Sequence, residues 1–196
     1  RNEVVDLGEG VDSWIVASYS SHAYMTAYKG GSLSAMYGLG YKRAPEGAYI
    51  VEKDGSITNV SGQIIVDENG YPQYSDELQY IGECTPDWKG GFGTSVKWKG
   101  LTVSVAFDGQ HGGNVYSYTN AVLGTRGKGS FTLAGRYDGL VLDGVNQLPD
   151  GNFIRNTHKT ADIVEYYGLA YAFQNCEQNF VSTEFLKLRE IRIAYE

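Results

Sequence analysis

The chain has 196 residues, a formal net charge of −7, a mean hydropathy of −0.32, and 26 Gly and 16 Tyr against only 4 Pro. The acidic balance argues against nucleic acid, whose phosphates need clustered Lys and Arg. No stretch approaches the ~18 to 20 apolar residues of a membrane-crossing helix, and richness in Gly and aromatics points instead to an all-β class of strands joined by many turns.

Residues 6–91 read as a long, irregular stretch. It holds the turn-like pairs Gly30-Gly31, Asp54-Gly55 and Asn69-Gly70. Tyr49-Ile50-Val51 and Ile64-Ile65-Val66 flank Asp54-Gly55 at some distance, which suggests one or two small exposed hairpins. The clearest local signal follows at 92–108. Leu101, Val103, Val105 and Phe107 alternate with Thr102, Ser104, Ala106 and Asp108, the period of a strand. Thr94, Val96 and Trp98 alternate with Ser95 and Lys97, and Lys99-Gly100 is the natural tight turn between the two runs. One face of this hairpin is large and apolar, the other small and polar, with an aromatic beside the turn. Strands of an outer-membrane barrel carry that pattern, although a soluble sandwich strand would alternate in the same way.

Residues 109–183 again read as a long connection, with Gly112-Gly113, Gly127, Gly129, Gly139 and Asp150-Gly151 as breaks. Asn120 to Thr125 and Ile163 to Tyr171 each suit a short helical turn. At the C-terminal end Leu186 and Leu188 alternate with Lys187 and Arg189, and Ile191, Ile193 and Tyr195 with Arg192 and Ala194. The phase slips at Arg189-Glu190, and a β-bulge would absorb the slip. Propensity also allows a helix over 184–194, but the β-branched alternation favours a strand. The chain opens on Arg1 rather than Met, has no signal peptide and stops within a strand pattern, so a fragment of a longer protein is expected.

Few residues single themselves out for chemistry. Cys84 and Cys176 lie far apart without CxxC spacing, which argues against a metal site and leaves open a disulfide or two idle thiols. His22, His111 and His158 are scattered, with no HxxxH motif and no neighbouring nucleophile. The acidic residues show no spacing that marks a catalytic pair, and Gly38-Leu39-Gly40 and Gly90-Gly91 lack the setting of a phosphate loop. The expectation is that the chain is not an enzyme and needs no cofactor. The aromatics Trp88, Tyr116, Tyr118, Tyr166 and Tyr167 offer rigid faces for a ligand, or else pack the long connections together. Trp88, Tyr116, Tyr118 and Asn120 are taken as the candidate contacts for a ligand or partner, because loops on a rigid scaffold carry function.

Six segments, in order, carry a further signal. Arg1-Asn2-Glu3-Val4-Val5 is similar to a strand ending in Arg-Asn-x-Val, and Gly30-Gly31-Ser32-Leu33 leads to Met36-Tyr37-Gly38. Gln63 to Pro72 contains Asp67-Glu68-Asn69-Gly70-Tyr71-Pro72, and Ile81-Gly82 precedes Thr85-Pro86-Asp87-Trp88. Gly113-Asn114-Val115-Tyr116 with Tyr118-Thr119-Asn120 matches a loop motif, and Phe185-Leu186-Lys187-Leu188-Arg189 matches a strand of the form Phe-x-(Lys/Arg)-Leu-Arg. Together these resemble the SusC/RagA group of TonB-dependent transporters, in the C-terminal part of the barrel domain.

The resemblance implies a partial transmembrane β-barrel of antiparallel strands with long extracellular loops, not a complete barrel alone. Strands would cross at about 92–98, 100–108 and 185–195, with residues 1–5 ending another. Lys99-Gly100 would be a periplasmic turn, and 6–91 and 109–183 would be extracellular. It further implies the outer membrane of a Bacteroidota-like bacterium, import of glycans or peptides, and a SusD-like surface lipoprotein as partner. TonB would act through an N-terminal region that this chain lacks. The competing reading is a soluble all-β carbohydrate-binding module.

Overall fold

The computed structural model describes residues 3–19 and 22–196. The first half of the chain contains β1 (Ser13–Tyr19), β2 (Ala23–Tyr28), β3 (Ala35–Gly38), β4 (Tyr49–Val51), β5 (Ile57–Asn59) and β6 (Gln79–Glu83). Two long strands follow, β7 (Trp88–Trp98) and β8 (Leu101–His111), and then β9 (Asn114–Tyr116) and helix α1 (Tyr118–Thr125). After a 3-10 turn at Ser130–Leu133 come β10 (Val145–Gln147), β11 (Phe153–Arg155), α2 (Ile163–Ala170) and α3 (Cys176–Asn179). The chain ends with β12 (Phe180–Ser182) and β13 (Phe185–Tyr195). The fold is all-β with antiparallel ladders and only short helices, and none of these is long and apolar enough to cross a membrane.

The three long strands form one open sheet in the order β13-β8-β7. Each is 11 residues, about 37 Å when fully extended. Lys99 and Gly100 both take positive φ, 48° and 85°, as a two-residue turn matched to strand twist requires. The hairpin therefore begins at Trp88 and ends at His111, longer at both ends than the alternation over 92–108 suggested. Between Leu188 and Glu190 the register against β8 shifts by one, so Arg189 is the extra residue of a bulge. This places Leu186, Leu188, Ile191, Ile193 and Tyr195 on the same face as Leu101, Val103, Val105 and Phe107. From β7, Phe92, Val96 and Trp98 join them. The helical alternative for 184–194 is excluded by this pairing.

Among the described residues nothing covers that apolar face. Trp98, Ile193 and Leu186 are 66%, 70% and 78% exposed, and every residue of β7 is exposed. The opposite face carries Ser95 bonded to Ser104 at 2.9 Å and Arg189 in a two-pronged ion pair with Asp108, at 2.5 and 2.8 Å. The outer edges of β7 and β13 pair with no other strand among the described residues, so the sheet does not close into a barrel.

The other described residues form a head at one end of the sheet. β8 leaves the sheet at His111 and β13 re-enters at Phe185, which pairs with Gln110. Both connections therefore emerge opposite Lys99-Gly100. Residues 6–91 are less irregular than the sequence suggested: β1, β2, β3 and β6 form a four-stranded antiparallel sheet. The hairpin at Asp54-Gly55 pairs Tyr49–Val51 with Ile57–Asn59, not with Ile64–Val66. That second run instead bridges Arg43, Val145 and Pro72. Of the proposed strand at 1–5, Arg1 and Asn2 lie outside the described residues. Val4 exchanges hydrogen bonds with Gly30 and Gly31, both at 2.8 Å, but is not part of a strand.

The two connections are stitched together into one packed body. One core cluster joins Ala44, Ala48, Ile50, Val60 and Ile65 to Val145 and Phe153, and another joins Ala23 and Met36 to Cys176. Backbone bonds run from Cys176 N–H to Leu39 O (2.8 Å) and from Val66 N–H to Val145 O (2.8 Å). Both cysteines are free thiols, and burial pushes that of Cys176 up to about 11.

Candidate functional site

The four candidate residues fall in two places. Trp88 opens β7 at the junction of sheet and head. Its indole stacks on His111, centroids 6.2 Å apart, and is 55% exposed. Around it Gln110, Glu184, Phe185 and Leu186 outline a shallow cavity of about 380 Å³. His111 lies between two carboxylates, with Glu184 against Nδ1 and Asp87 Oδ2 3.8 Å from Nε2. Gln110 Nε2 donates to Thr183 Oγ1 at 2.7 Å, and Asp87 N–H to His111 O at 2.9 Å. Polar bonds thus lock the mouth of the hairpin to the head.

Tyr116, Tyr118 and Asn120 are gathered around the segment 173–180. Ser117 caps α1 by accepting from Asn120 N–H (3.1 Å), which fixes the turn that places them. Tyr116 is half-buried. Its hydroxyl donates to Phe173 O (2.8 Å), its ring meets Phe180 edge-on, and burial pushes its hydroxyl up to about 12. Asn120 Nδ2 donates to Gln178 O (3.2 Å) and Asn179 Oδ1 (3.4 Å). These two side chains are spent on internal contacts. Tyr118 stacks flat on the Phe173 ring, centroids 4.9 Å apart, yet remains 53% exposed, so one aromatic face stays open. Of the other tyrosines considered, Tyr167 is buried, with its hydroxyl directed at Phe131 O and Ala134 O (3.1 and 3.0 Å), and Tyr166 packs edge-on against it.

A third place was not singled out from the sequence. Between the end of α1, the 3-10 turn and the start of α2 lies a cleft of about 600 Å³. Arg126, Arg136 and Tyr137 line it, with Tyr167 also contributing, and no acidic side chain is among its lining residues. A signal for it does exist in the chain: residues 109–137 contain Arg126, Lys128 and Arg136 and not one Asp or Glu, within a protein of net charge −7.

No family model matches the chain. Over 132 residues it is 25% identical to a protein of Formosa agariphila named TonB-dependent receptor P3. The likeness is to a TonB-dependent receptor. The match takes in 64% of this chain and 13% of the receptor, so the chain spans only a small part of that protein's length.

Proposed function

We propose that this chain is a stretch of barrel wall, with its external head, from a TonB-dependent outer-membrane importer of the SusC/RagA type. The observation that carries the reading is the open apolar face of β13-β8-β7. Three strands of 11 residues match the ~9 to 11 that a tilted transmembrane strand needs. Trp98 and Tyr195 lie at one end of the face and Trp88 at the other, as aromatic belts at the two interfaces would. A two-residue turn at one end and a large body at the other repeat the asymmetry of short periplasmic turns and long outer loops. Likeness to a TonB-dependent receptor supports the same reading at a coarser level.

On this reading 1–196 is part of the C-terminal region of the barrel domain, and the outer segments are about 6–87 and 112–184. Neighbouring strands of the complete barrel cover the free edges of β7 and β13, because unpaired edges are not tolerated in lipid. The chain carries out no catalytic step. It contributes to import of glycans or peptides across the outer membrane of a Bacteroidota-like bacterium, with a SusD-like lipoprotein over the head and TonB engaged through other parts of the protein. Trp88 and Tyr118 are the two candidate contacts that keep open faces. A soluble carbohydrate-binding module is favoured by the packed cores of the head, but it leaves the sheet's apolar face without a partner.

The test is sidedness. In intact cells, a membrane-impermeant maleimide labels a cysteine placed at Tyr137 and reaches one at Lys99 only after the outer membrane is permeabilised. Equal labelling at both positions in intact cells would sink the assignment.

A further inference from the structure

The cleft beside α1 has the makings of a binding site of defined chemistry. Arg43, Arg155 and Arg189 are each matched by a carboxylate, from Glu177, Glu52 and Asp108. Arg126 and Arg136, which both line the cleft, have no carboxylate partner among the described residues. Arg136 is nonetheless held in place. Its Nε donates to Thr132 O (2.9 Å), and its Nη2 to Gly127 O (2.6 Å) and Thr132 Oγ1 (2.9 Å). Thr132 is itself buried and bonded to Gly129 O at 2.7 Å. Three of the five guanidinium N–H bonds are used, and both on Nη1 remain. A guanidinium fixed in this way has little rotamer freedom left to lose when it meets an anion. Arg126 closes α1 as its C-cap residue and adds a second positive charge to the wall. The acids next in sequence to lining residues are Asp138, Asp162 and Glu165, and Glu165 Oε2 accepts from the Tyr71 hydroxyl at 3.0 Å. The carboxylate of Asp162 is occupied in capping α2, accepting from Val164 N–H (2.7 Å) and Glu165 N–H (3.3 Å).

The remaining walls are apolar. Ile163 and Val164 form one side, and Tyr137 stands fully exposed at the rim, its ring free to stack. All the lining residues belong to helices, the 3-10 turn and loops. A peptide bound by strand addition needs main-chain bonds to a strand edge, which this cleft does not offer, so an acidic peptide would have only the two guanidiniums to hold it. A compact ring with a carboxylate and a C–H face fits better.

We infer that the cleft bounded by Arg126, Arg136 and Tyr137 binds the acidic unit of an anionic oligosaccharide, with the carboxylate on the two guanidiniums and the sugar face on Tyr137. The inference concerns recognition by the head and does not need membrane insertion; only its link to import rests on the function proposed above.

Calorimetric titration of the 196-residue chain in detergent micelles with tri-galacturonic acid tests it, with the fully methyl-esterified trimer as the neutral twin. The acid binds, and the ester binds at least about tenfold more weakly, as expected for loss of charge-assisted bonds worth roughly 1.5 kcal/mol or more. R126Q, at an exposed side chain with no hydrogen bond or ion pair among the described residues, weakens acid binding severalfold and leaves the melting temperature unchanged. R136Q weakens it about tenfold; Y137A supplies an independent check if R136Q also lowers the melting temperature. Equal binding of acid and ester overturns the inference. So does no binding by a chain that retains its cooperative melt, no effect of R126Q, or tri-glutamate binding as tightly as the sugar acid.

Discussion

In the sheet of β7, β8 and β13 the large apolar side chains are outside, and hydrogen bonds run mainly between neighbouring strands. The head, although it too exposes apolar side chains such as Trp14 and Ile57, has packed clusters of its own. Asn175 and Asn179 are fully buried, and Asn179 Nδ2 satisfies three backbone carbonyls, of Tyr171, Ala172 and Asn175. Beside them Ala23 packs with Cys176, and Ala170 O accepts from Asn175 Nδ2 at 2.8 Å. Gly38 is bare because a Cβ there would run into the side chain of Cys176. One region leaves an apolar face uncovered among the described residues, and the other makes its own interior. On the proposed reading, that difference, more than strand content, separates barrel wall from loop.

The contrast breaks most visibly under substitutions that act on one side of it. Met36 is 1% exposed in the head core, so Met36→Ala costs about 2–5 kcal/mol of head stability. A melt of the chain in detergent, followed by tyrosine fluorescence, reads this loss, and an unchanged midpoint would mean the head core is not cooperative. Ile191 is 61% exposed at mid-strand on the apolar face. Ile191→Arg costs roughly 2–4 kcal/mol in a bilayer yet improves solubility in plain buffer. Destabilisation in buffer as well would place Ile191 in a protein core. The smallest effect is electrostatic. Hydrogen bonds from Arg155 and Thr58 hold the Glu52 carboxyl below the usual Glu range and tie the β4-β5 hairpin to β11. A lowered folded-state pKa means that this contribution is present above the ordinary Glu pKa and fades as pH falls through the lowered one. The head therefore softens slightly in acid, and Arg155→Ala flattens that slope; an unaltered slope would show the pair contributes nothing.

The same contrast explains what could be read from the sequence. Strands that expose one apolar face obey a period of two. The 101–107 alternation, the Lys99-Gly100 turn and the bulge at Arg189 were therefore legible, while the extension back to Trp88 was hidden by Gly90, Gly91 and Gly93, which carry no side-chain signal. The head left little periodicity to find. β1 is an apolar run interrupted by a register shift between Ile15 and Ala17. β9 pairs with β12 from the far end of a long connection. Many core contacts are single bridges such as Ile65 with Val145. Tyr116 and Asn120 could be named as notable but not placed, because their partners Phe173, Gln178 and Asn179 come together only through α3. The basic cleft needed a charge count over 109–137 rather than a motif.

In the proposed barrel, the face bearing Leu101, Val103, Val105 and Phe107 meets lipid. Spin labels placed one at a time along 101–108, in the intact protein reconstituted in bilayers, measure it directly through collision with oxygen and with a water-soluble nickel complex. Two accessibility profiles of period two and opposite phase are expected, with oxygen high at 101, 103, 105 and 107 and nickel high at 102, 104, 106 and 108. Profiles in phase, or nickel reaching the odd-numbered positions as readily as the even ones, would contradict it.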